Sequence, residues 1–233
     1  MPKATDYSKL EQLLDYKFKN IELLKEALTH RSAHSKNNER LEFLGDSILN
    51  FVIAAELYLL YPKSPEGDLS RLRANLVNKD GLYEISKILK FNDYLILGSG
   101  ELKSGGYRRN SILADTVEAI FGAVYMDSGF DECKKLILFL YDDLIKNIPD
   151  ANDLKDPKTR LQELLQSRKF ALPKYSVTEV TGQAHNQQFK VDCEIAELNL
   201  KTEGKATNRR KAEQQSAEKI IALVQEQFEK KSK

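Results

Sequence analysis

Three carboxylates on one face of a predicted helix are the residues of this chain best placed to do chemistry. The segment NERLEFLGDS, residues 38–47, puts Glu39, Glu42 and Asp46 at positions i, i+3 and i+7. On an α-helix these side chains lie within about 60° of one another. The helix continues into an almost wholly apolar run, residues 48–55, which predicts a buried helix. Carboxylates at the edge of such a helix cost free energy unless a cation or a proton compensates their charge.

A second acidic pair interrupts another apolar run. In SILADTVEAIFGAVYM, residues 111–126, Asp115 and Glu118 stand at i and i+3 and therefore share a helical face. If the two helices meet, four carboxylates converge. A solvated acidic face and a buried ion-pair network are the competing interpretations, although neither helix carries a run of Lys or Arg to supply the partners.

A convergent set of carboxylates predicts a divalent metal site. Such a cluster cannot stay fully ionised without cations, and its oxygen ligands suit Mg²⁺, with Mn²⁺ as a substitute. Two such ions about 4 Å apart can stabilise the attacking and the leaving oxygen in phosphodiester hydrolysis. The chemistry expected of these residues is therefore metal-ion-assisted phosphodiester cleavage.

The charge distribution divides the chain into an acidic and a basic part. The 233 residues carry a net charge of +1, but residues 1–150 carry −3 and residues 151–233 carry +4. That split is typical of a metal-dependent catalytic unit joined to a unit that binds a polyanion. The two cysteines have no neighbours at metal-ligand spacing and predict reduced thiols. We find no signal-peptide pattern and expect no membrane-spanning stretch, so a soluble, cytoplasmic protein is predicted.

Residues 1–147 are predicted to be an all-α domain. Apolar residues recur at helical spacing in several segments, among them Leu10 to Phe18, Ile21 to Leu28, Leu69 to Val77 and Leu82 to Leu89. Four of the eleven glycines fall in Gly98 to Gly106, which we interpret as a flexible loop. Residues 148–157, with two prolines and several acidic or amide residues, are predicted to be an interdomain linker.

Residues 158–228 are predicted to form an α+β domain of the order α-β-β-β-α. A helix is expected over Thr159 to Phe170, and the first strand begins at Tyr175. Phe189 to Ile195 alternates apolar and polar residues, as a half-buried strand does. A third strand is expected over Leu198 to Glu203, and the last helix carries Ala217 to Phe228.

Two groups of residues in this second domain suit nucleic-acid recognition. Thr207 or Asn208 can cap the last helix, whose first turn then holds Arg209, Arg210 and Lys211. Cations there oppose the helix macrodipole but combine with free N–H groups into a phosphate site. On the first helix, Thr159, Gln162, Glu163 and Gln166 are spaced to share one face, and their short polar groups suit a minor groove.

These motifs together resemble bacterial ribonuclease III. The resemblance rests on NERLEFLGDS, on LTHRS (Leu28 to Ser32), on EGDLSRLRA (Glu66 to Ala74), on GELKSGGYRRNSILADTVEA (Gly100 to Ala119), and on TGQAH and NRRKAE in the second domain. It covers roughly Tyr7 to Val224 in the family's order. The segment 204–208 departs from the family pattern, because it lacks a second Gly and a Ser often found there.

The resemblance implies a homodimeric endonuclease domain followed by a double-stranded-RNA-binding domain. It implies Glu42, Asp46, Asp115 and Glu118 as metal ligands, with Asp46 and Glu118 catalytic and with Glu39 and Glu66 as accessory acids. It also implies RNA contacts for a larger set, namely Thr159, Gln162, Glu163, Gln166, His185, Arg209, Arg210 and Lys211. Lys103, Arg108 and Arg109 could position the RNA backbone, or they could simply form a solvated loop.

The function implied is a Mg²⁺-dependent endoribonuclease that processes double-stranded RNA, including rRNA and mRNA. Its cuts would be staggered and would leave 5′-phosphate and 3′-hydroxyl ends. Two alternatives remain open at this point. One is a non-catalytic double-stranded-RNA-binding protein on the same fold, and the other is a metal-dependent hydrolase of another phosphate ester.

Overall fold

The computed structural model describes residues 6–151, 153–183 and 186–231, with side chains as far as Phe228. The described chain forms two compact units, Met1–Ala151 and Asn152–Lys233. The first is helical and the second combines helices with an antiparallel sheet. The predicted fold class, an all-α domain followed by an α+β domain, is therefore confirmed.

The first unit is built on two long apolar helices. Its helices are α1 (Ser8–Leu14), α2 (Ile21–Ala27), α3 (Glu39–Leu60), α4 (Glu66–Leu76), α5 (Lys79–Ile88), α6 (Ser99–Lys103), α7 (Asn110–Ser128) and α8 (Phe130–Lys146). The side chains of α7 from Ile112 to Val124 are almost all buried. They pack against the buried face of α3, which includes Leu49, Val52 and Ile53, so the α3–α7 pair forms the centre of the core.

The structure corrects two local predictions in this unit. Gly98 to Gly106 is not a continuous loop, because it contains α6 and runs into a 3-10 turn at Gly106–Arg108. The stripe from Leu10 to Phe18 is not one helix either. Helix α1 ends at Leu14 because Asp15 takes a left-handed conformation, with φ of 48°, although Phe18 beyond it is still buried.

The composition of α3 predicted a helix buried on all sides, but the structure buries only part of its surface. Phe43 is 77% exposed and Phe51 61% exposed, and Tyr58, Leu59 and Leu60 are also exposed at its carboxyl end. By length and composition alone α3 is long and apolar enough to cross a membrane, but a single helix of this kind is weak evidence for a membrane span. Core helices of soluble proteins pass the same test, and one face of α3 packs on α7.

The second unit has the predicted order of elements, with small shifts in their bounds. It consists of α9 (Pro157–Ser167), β1 (Lys174–Thr181), β2 (Gln188–Ile195), β3 (Leu200–Ala206) and α10 (Arg209–Lys231). Pro157 opens α9 and Asp156 caps it, its carboxylate accepting from the Lys158 N–H at 2.9 Å. The third strand starts later than predicted, since a 3-10 turn at Ala196–Leu198 and a left-handed Asn199 precede it.

The sheet has the order β1-β2-β3, and both pairings are antiparallel. Cys193 lies at the centre of the sheet, opposite Tyr175 of β1 and Thr202 of β3. Val191, Cys193 and Ile195 are buried, as the alternation predicted, but Asp192 between them is buried as well. Cys193 and Ile195 join a core with apolar side chains of α9 and α10. One face of the sheet is therefore covered by helices, which leaves the outer faces of α9 and α10 exposed.

Candidate active site and RNA-binding surface

The acidic residues come together because two glycines let the backbones of α3 and α7 approach closely. A Cβ atom on Gly45 would lie 1.8 Å from the carbonyl oxygen of Glu118, and one on Gly122 would lie 2.1 Å from that of Leu41. Neither position has room for a side chain. Since Gly45 stands between two of the acids of α3, the crossing places these acids beside those of α7.

Three of the four predicted ligands form a tight cluster. One carboxylate oxygen each from Glu42, Asp115 and Glu118 lies within 4.8 Å of the others. Asp46 is more exposed and falls outside this group, and its carboxylate accepts from the Asn50 side chain at 2.8 Å. It still acts electrostatically on Glu118. The four residues therefore lie near one another, and the carboxylates of three of them are close enough to bind the same ion.

The surroundings of the cluster make its three carboxyl groups harder to ionise than free carboxyl groups. Burial, followed by repulsion from Asp46, Glu42 and Asp115, raises the pKa of Glu118 to about 8. Burial is also the main cause that raises the pKa of Glu42, with Asp115 adding to it, and it raises the pKa of Asp115 as well. Three acids with raised pKa values at one point form an arrangement that favours either bound protons or a bound cation.

The donor set fits a hard divalent cation. All donors are carboxylate oxygens, which Mg²⁺ and Mn²⁺ prefer. Within the described ranges, no Lys, Arg or His nitrogen lies within 4.0 Å of Glu42, Asp115 or Glu118, so the ion-pair network that the sequence left open is not formed there. Lys79, at the first position of α5, only lowers the three pKa values from a distance.

An open cleft of about 420 Å³ leads to the cluster, and its rim carries charges of both signs. Arg31 lies 3.3 Å from Glu39, and Arg109 lies 2.8 Å from Glu101. His30, Arg31 and Glu101 also line the cleft, although the sequence did not predict them as site residues. They lie outside α3 and α7, so the helical spacing that reveals the acids does not include them.

The other residues predicted near the cleavage site differ in their surroundings. Glu66 lies in the first turn of α4, where its carboxylate accepts from the Ser70 hydroxyl at 2.8 Å. Lys103 is exposed, and Arg108 lies over the ring of Tyr107 at 5.0 Å. Of the three basic residues considered for the RNA backbone, Arg109 is the one that lines the cleft.

In the second unit, α9 presents the predicted polar face to solvent. Thr159, Gln162, Glu163 and Gln166 are all exposed along it. Glu163 is paired with Lys155, whose Nζ lies 2.7 Å from its carboxylate. His185, predicted to contact RNA from the β1–β2 loop, lies outside the described residues.

The first turn of α10 is basic and capped as predicted. The Asn208 side chain accepts from the N–H of Lys211 at 2.8 Å. Arg209, Arg210 and Lys211 are exposed. Arg209 donates to Glu213 at 2.8 Å, and Arg210 lies 3.8 Å from Asp156. The three cations are therefore available to an anion, although two of them have carboxylate neighbours.

Comparison with known proteins identifies both units. Residues 20–144 match the family model described as Ribonuclease-III-like, and residues 157–224 match the double-stranded RNA binding motif. Ribonuclease 3 of Alkalilimnicola ehrlichii is 55% identical over 221 residues, which is 95% of this chain and 97% of that protein. Ribonuclease 3 of Vibrio parahaemolyticus is 56% identical over 213 residues, 91% of this chain and 95% of that protein.

Solved structures of a nuclease domain resemble the first unit. Two structures of the nuclease domain of ribonuclease III from Campylobacter jejuni align with TM-scores of 0.60 and 0.58, at 42% and 44% identity. They cover 63% and 59% of this chain, and 100% and 97% of their own. With both units matched in order and close relatives along nearly its whole length, the chain belongs to the ribonuclease III family.

Proposed function

We propose that this chain is an endoribonuclease that hydrolyses phosphodiester bonds of double-stranded RNA with the help of Mg²⁺. The observation that carries the proposal is the cluster of Glu42, Asp115 and Glu118 within 4.8 Å at the α3–α7 crossing, in a chain of this family. All four predicted acids are present, and nothing favours a non-catalytic RNA-binding protein on this fold.

In this proposal, Glu42, Asp46, Asp115 and Glu118 hold the cation, and Mn²⁺ can replace Mg²⁺. When bound, a divalent cation neutralises charge on the phosphate oxygens and makes water a better nucleophile towards phosphorus. Asp46 and Glu118 are the catalytic acids, with Glu39 and Glu66 as accessory acids. In the cation-free protein Glu118 retains a proton near neutral pH, because its pKa is about 8. Cation binding therefore requires that this proton leave.

The second unit supplies the RNA-binding surface. We assign residues 1–147 to the nuclease domain, 148–157 to the linker and 158–228 to the RNA-binding domain. Gln162 and Gln166, with Thr159 and Glu163, would contact 2′-hydroxyls and base edges in the minor groove. Arg209, Arg210 and Lys211 would contact phosphates, and the loop that contains His185 would enter a second minor groove. Lys103, Arg108 and Arg109 are further candidates for backbone contacts beside the cleft.

We also propose that the chain acts as a homodimer through its nuclease domain, so that two sites make staggered cuts in two strands. One support is the apolar surface of α3, because Phe43 and Phe51 are exposed and exposed apolar patches can mark protein–protein contacts. A second is the Campylobacter jejuni structure, which is described as having a region involved in dimer formation. Light scattering should give the mass of two chains, and a monomeric mass would contradict the proposal.

We assign the protein to the soluble fraction of the cytoplasm, where RNA substrates and a reducing environment are available. Both cysteines are buried free thiols, which suits that compartment. Recovery of the protein with the membrane pellet after cell fractionation would argue against this location.

Cleavage of a long synthetic RNA duplex tests the activity itself. The purified chain should cut the duplex in Mg²⁺, leave 5′-phosphate and 3′-hydroxyl ends, and be inactive in EDTA. The same sequence as single-stranded RNA, or as a DNA duplex, should be cut far more slowly because the 2′-hydroxyl pattern of A-form RNA is missing. Equal activity with EDTA present would overturn the metal-dependent proposal.

A further inference from the structure

A buried carboxylate stands directly behind the basic first turn of α10. Glu213 is 8% exposed, which is unusual for an acid, and both of its oxygens are used. Oε1 accepts from Nε of Arg209 at 2.8 Å, and Oε2 accepts from Nζ of Lys158 at 2.6 Å. Burial acts to raise the pKa of Glu213, but the hydrogen bonds from these two cations outweigh it and hold the pKa below its ordinary value.

The contact with Arg209 leaves the outer edge of the guanidinium free. The hydrogen bond uses Nε, and in the described part of the chain no partner is found for the two Nη nitrogens. The side chain is 64% exposed, so this edge faces solvent. A guanidinium held in this way presents its paired Nη donors in a fixed direction, which is the fork that binds phosphate oxygens.

The contact with Lys158 links this arginine to α9. Lys158 is the second residue of α9, and its Nζ also lies 4.5 Å from the ring centroid of Tyr175 on β1. Glu213 therefore connects the first turn of α10 with the first turn of the helix that carries Gln162 and Gln166. A fixed spacing between these two helices is what simultaneous contacts with phosphates and a minor groove require.

We propose that Glu213 is a positioning residue for RNA binding: it orients the Arg209 guanidinium towards the phosphate backbone and fixes α10 against α9. The inference rests on the proposed function, in which Arg209 contacts phosphate. Glu213 itself touches no RNA. The negative charge of Glu213 repels the phosphates of the bound duplex. The affinity gained by orienting Arg209 is larger than the affinity lost through this repulsion.

Simple electrostatics and positioning predict effects of opposite sign. If the carboxylate only repels RNA, Glu213→Gln removes a negative charge and binding becomes tighter, as it does whenever a protein becomes more cationic. If the carboxylate positions Arg209, the same substitution weakens binding, because the guanidinium loses its charge-assisted anchor. The sign of the change therefore separates the two accounts.

The experiment is a salt titration of duplex affinity with the full-length chain in EDTA, where no cleavage is expected. We compare wild type with Arg209→Ala, Glu213→Gln and the double variant. The matched control is Glu218→Gln, which makes the same charge change on the same helix. Glu218 is exposed and lies 3.3 Å from Arg160 of α9, so this control also breaks a link between the two helices.

Positioning predicts that Glu213→Gln weakens binding about tenfold, the value of one charge-assisted hydrogen bond. It should also flatten the dependence of log K on log salt by up to about one unit. The double variant should lose less affinity than the two single losses combined, because part of the effect of Glu213 acts through Arg209. Glu218→Gln should bind at least as tightly as wild type. A variant that only unfolds more easily loses active protein and keeps the wild-type slope, so the slope separates positioning from instability.

Two results would overturn the inference, and they can be told apart. If Arg209→Ala lowers affinity and slope but Glu213→Gln binds as tightly as wild type or tighter, Arg209 contacts phosphate without needing Glu213. If Arg209→Ala has the affinity and slope of wild type, the phosphate assignment of the proposed function fails, and the positioning role fails with it.

Discussion

Among single residues, Glu118 carries the least favourable charge of the acidic cluster. Its carboxylate lies on a mostly buried helix, and Asp46, Glu42 and Asp115 surround it with like charge. The result is a cluster whose carboxylates repel one another when they are ionised. A group of this kind makes both the stability and the cation affinity of the protein depend on pH.

We predict that the cation-free protein loses stability as pH rises from about 5 to about 8. The ordinary pKa of Glu118 is 4.5 and its pKa in the folded protein is about 8. Between these values the folded state holds a proton that the unfolded chain has released, so raising the pH favours unfolding. The raised pKa values of Glu42 and Asp115 act in the same direction. Urea denaturation in EDTA measures this dependence.

The matched variant for this prediction is Glu118→Gln, which has a similar shape and no titration. Its loss of stability over the same pH range should be smaller than that of wild type. Adding Mg²⁺ at about pH 8 should stabilise wild type more than the variant, because ligands that bind only the folded state stabilise it. An identical pH dependence in both proteins would mean that Glu118 does not titrate abnormally.

For the helices, the decisive feature is the close crossing of α3 and α7 at Gly45 and Gly122. We predict that Gly122→Ala costs about 1–3 kcal/mol of stability, the usual range for overpacking. Cleavage should fall more than duplex binding, because the variant separates the acids of the two helices and leaves the second unit intact. Urea denaturation and paired binding and cleavage assays would measure both effects.

Gly100→Ala is the control for the crossing. This glycine lies in α6, and a Cβ atom there would meet nothing within 4 Å. The variant should retain wild-type stability and activity. If Gly122→Ala were also as stable and active as wild type, the close approach of the two backbones would not be needed for the site.

The two helices of the RNA-binding unit are expected to differ in their response to salt. Lys211→Ala should weaken binding to every RNA duplex and flatten the dependence of log K on log salt by about one unit, since one phosphate contact is lost. Gln162→Ala should weaken binding but leave the slope nearly unchanged, because Gln162 is uncharged and is assigned to the groove. A full wild-type slope in the Lys211 variant would mean that the first turn of α10 does not anchor phosphate.

On the scale of the whole molecule, the sequence predicted the order and type of the elements better than their contacts. Residue spacing was sufficient to place Glu42 with Asp46 and Asp115 with Glu118, because helix periodicity is a local property. The apposition of the two pairs depended on Gly45 and Gly122, whose role becomes visible only when the backbones are seen to cross. The Glu213–Lys158 contact spans 55 residues and had no local signal.

The exposed face of α3 shows that the sequence could not predict which surface covers an apolar helix. An apolar helix was expected to be buried within its own chain, but a second copy can cover the same residues. Composition does not distinguish these two cases. The prediction of a flexible loop at Gly98 to Gly106 was wrong because it also ignored tertiary contacts. Such contacts can stabilise a short helix that the glycine content disfavours.

The most direct test of the account separates cleavage from binding in one preparation of Glu118→Ala. In Mg²⁺ the variant should bind duplex RNA with nearly wild-type affinity and cleave it at least about a thousandfold more slowly, because a metal ligand worth several kcal/mol is lost. Glu132→Ala, which removes an exposed acid of α8, should behave as wild type, and circular dichroism should show that both variants are folded. Wild-type cleavage by a folded Glu118→Ala protein would contradict the assignment of the active site to the α3–α7 crossing.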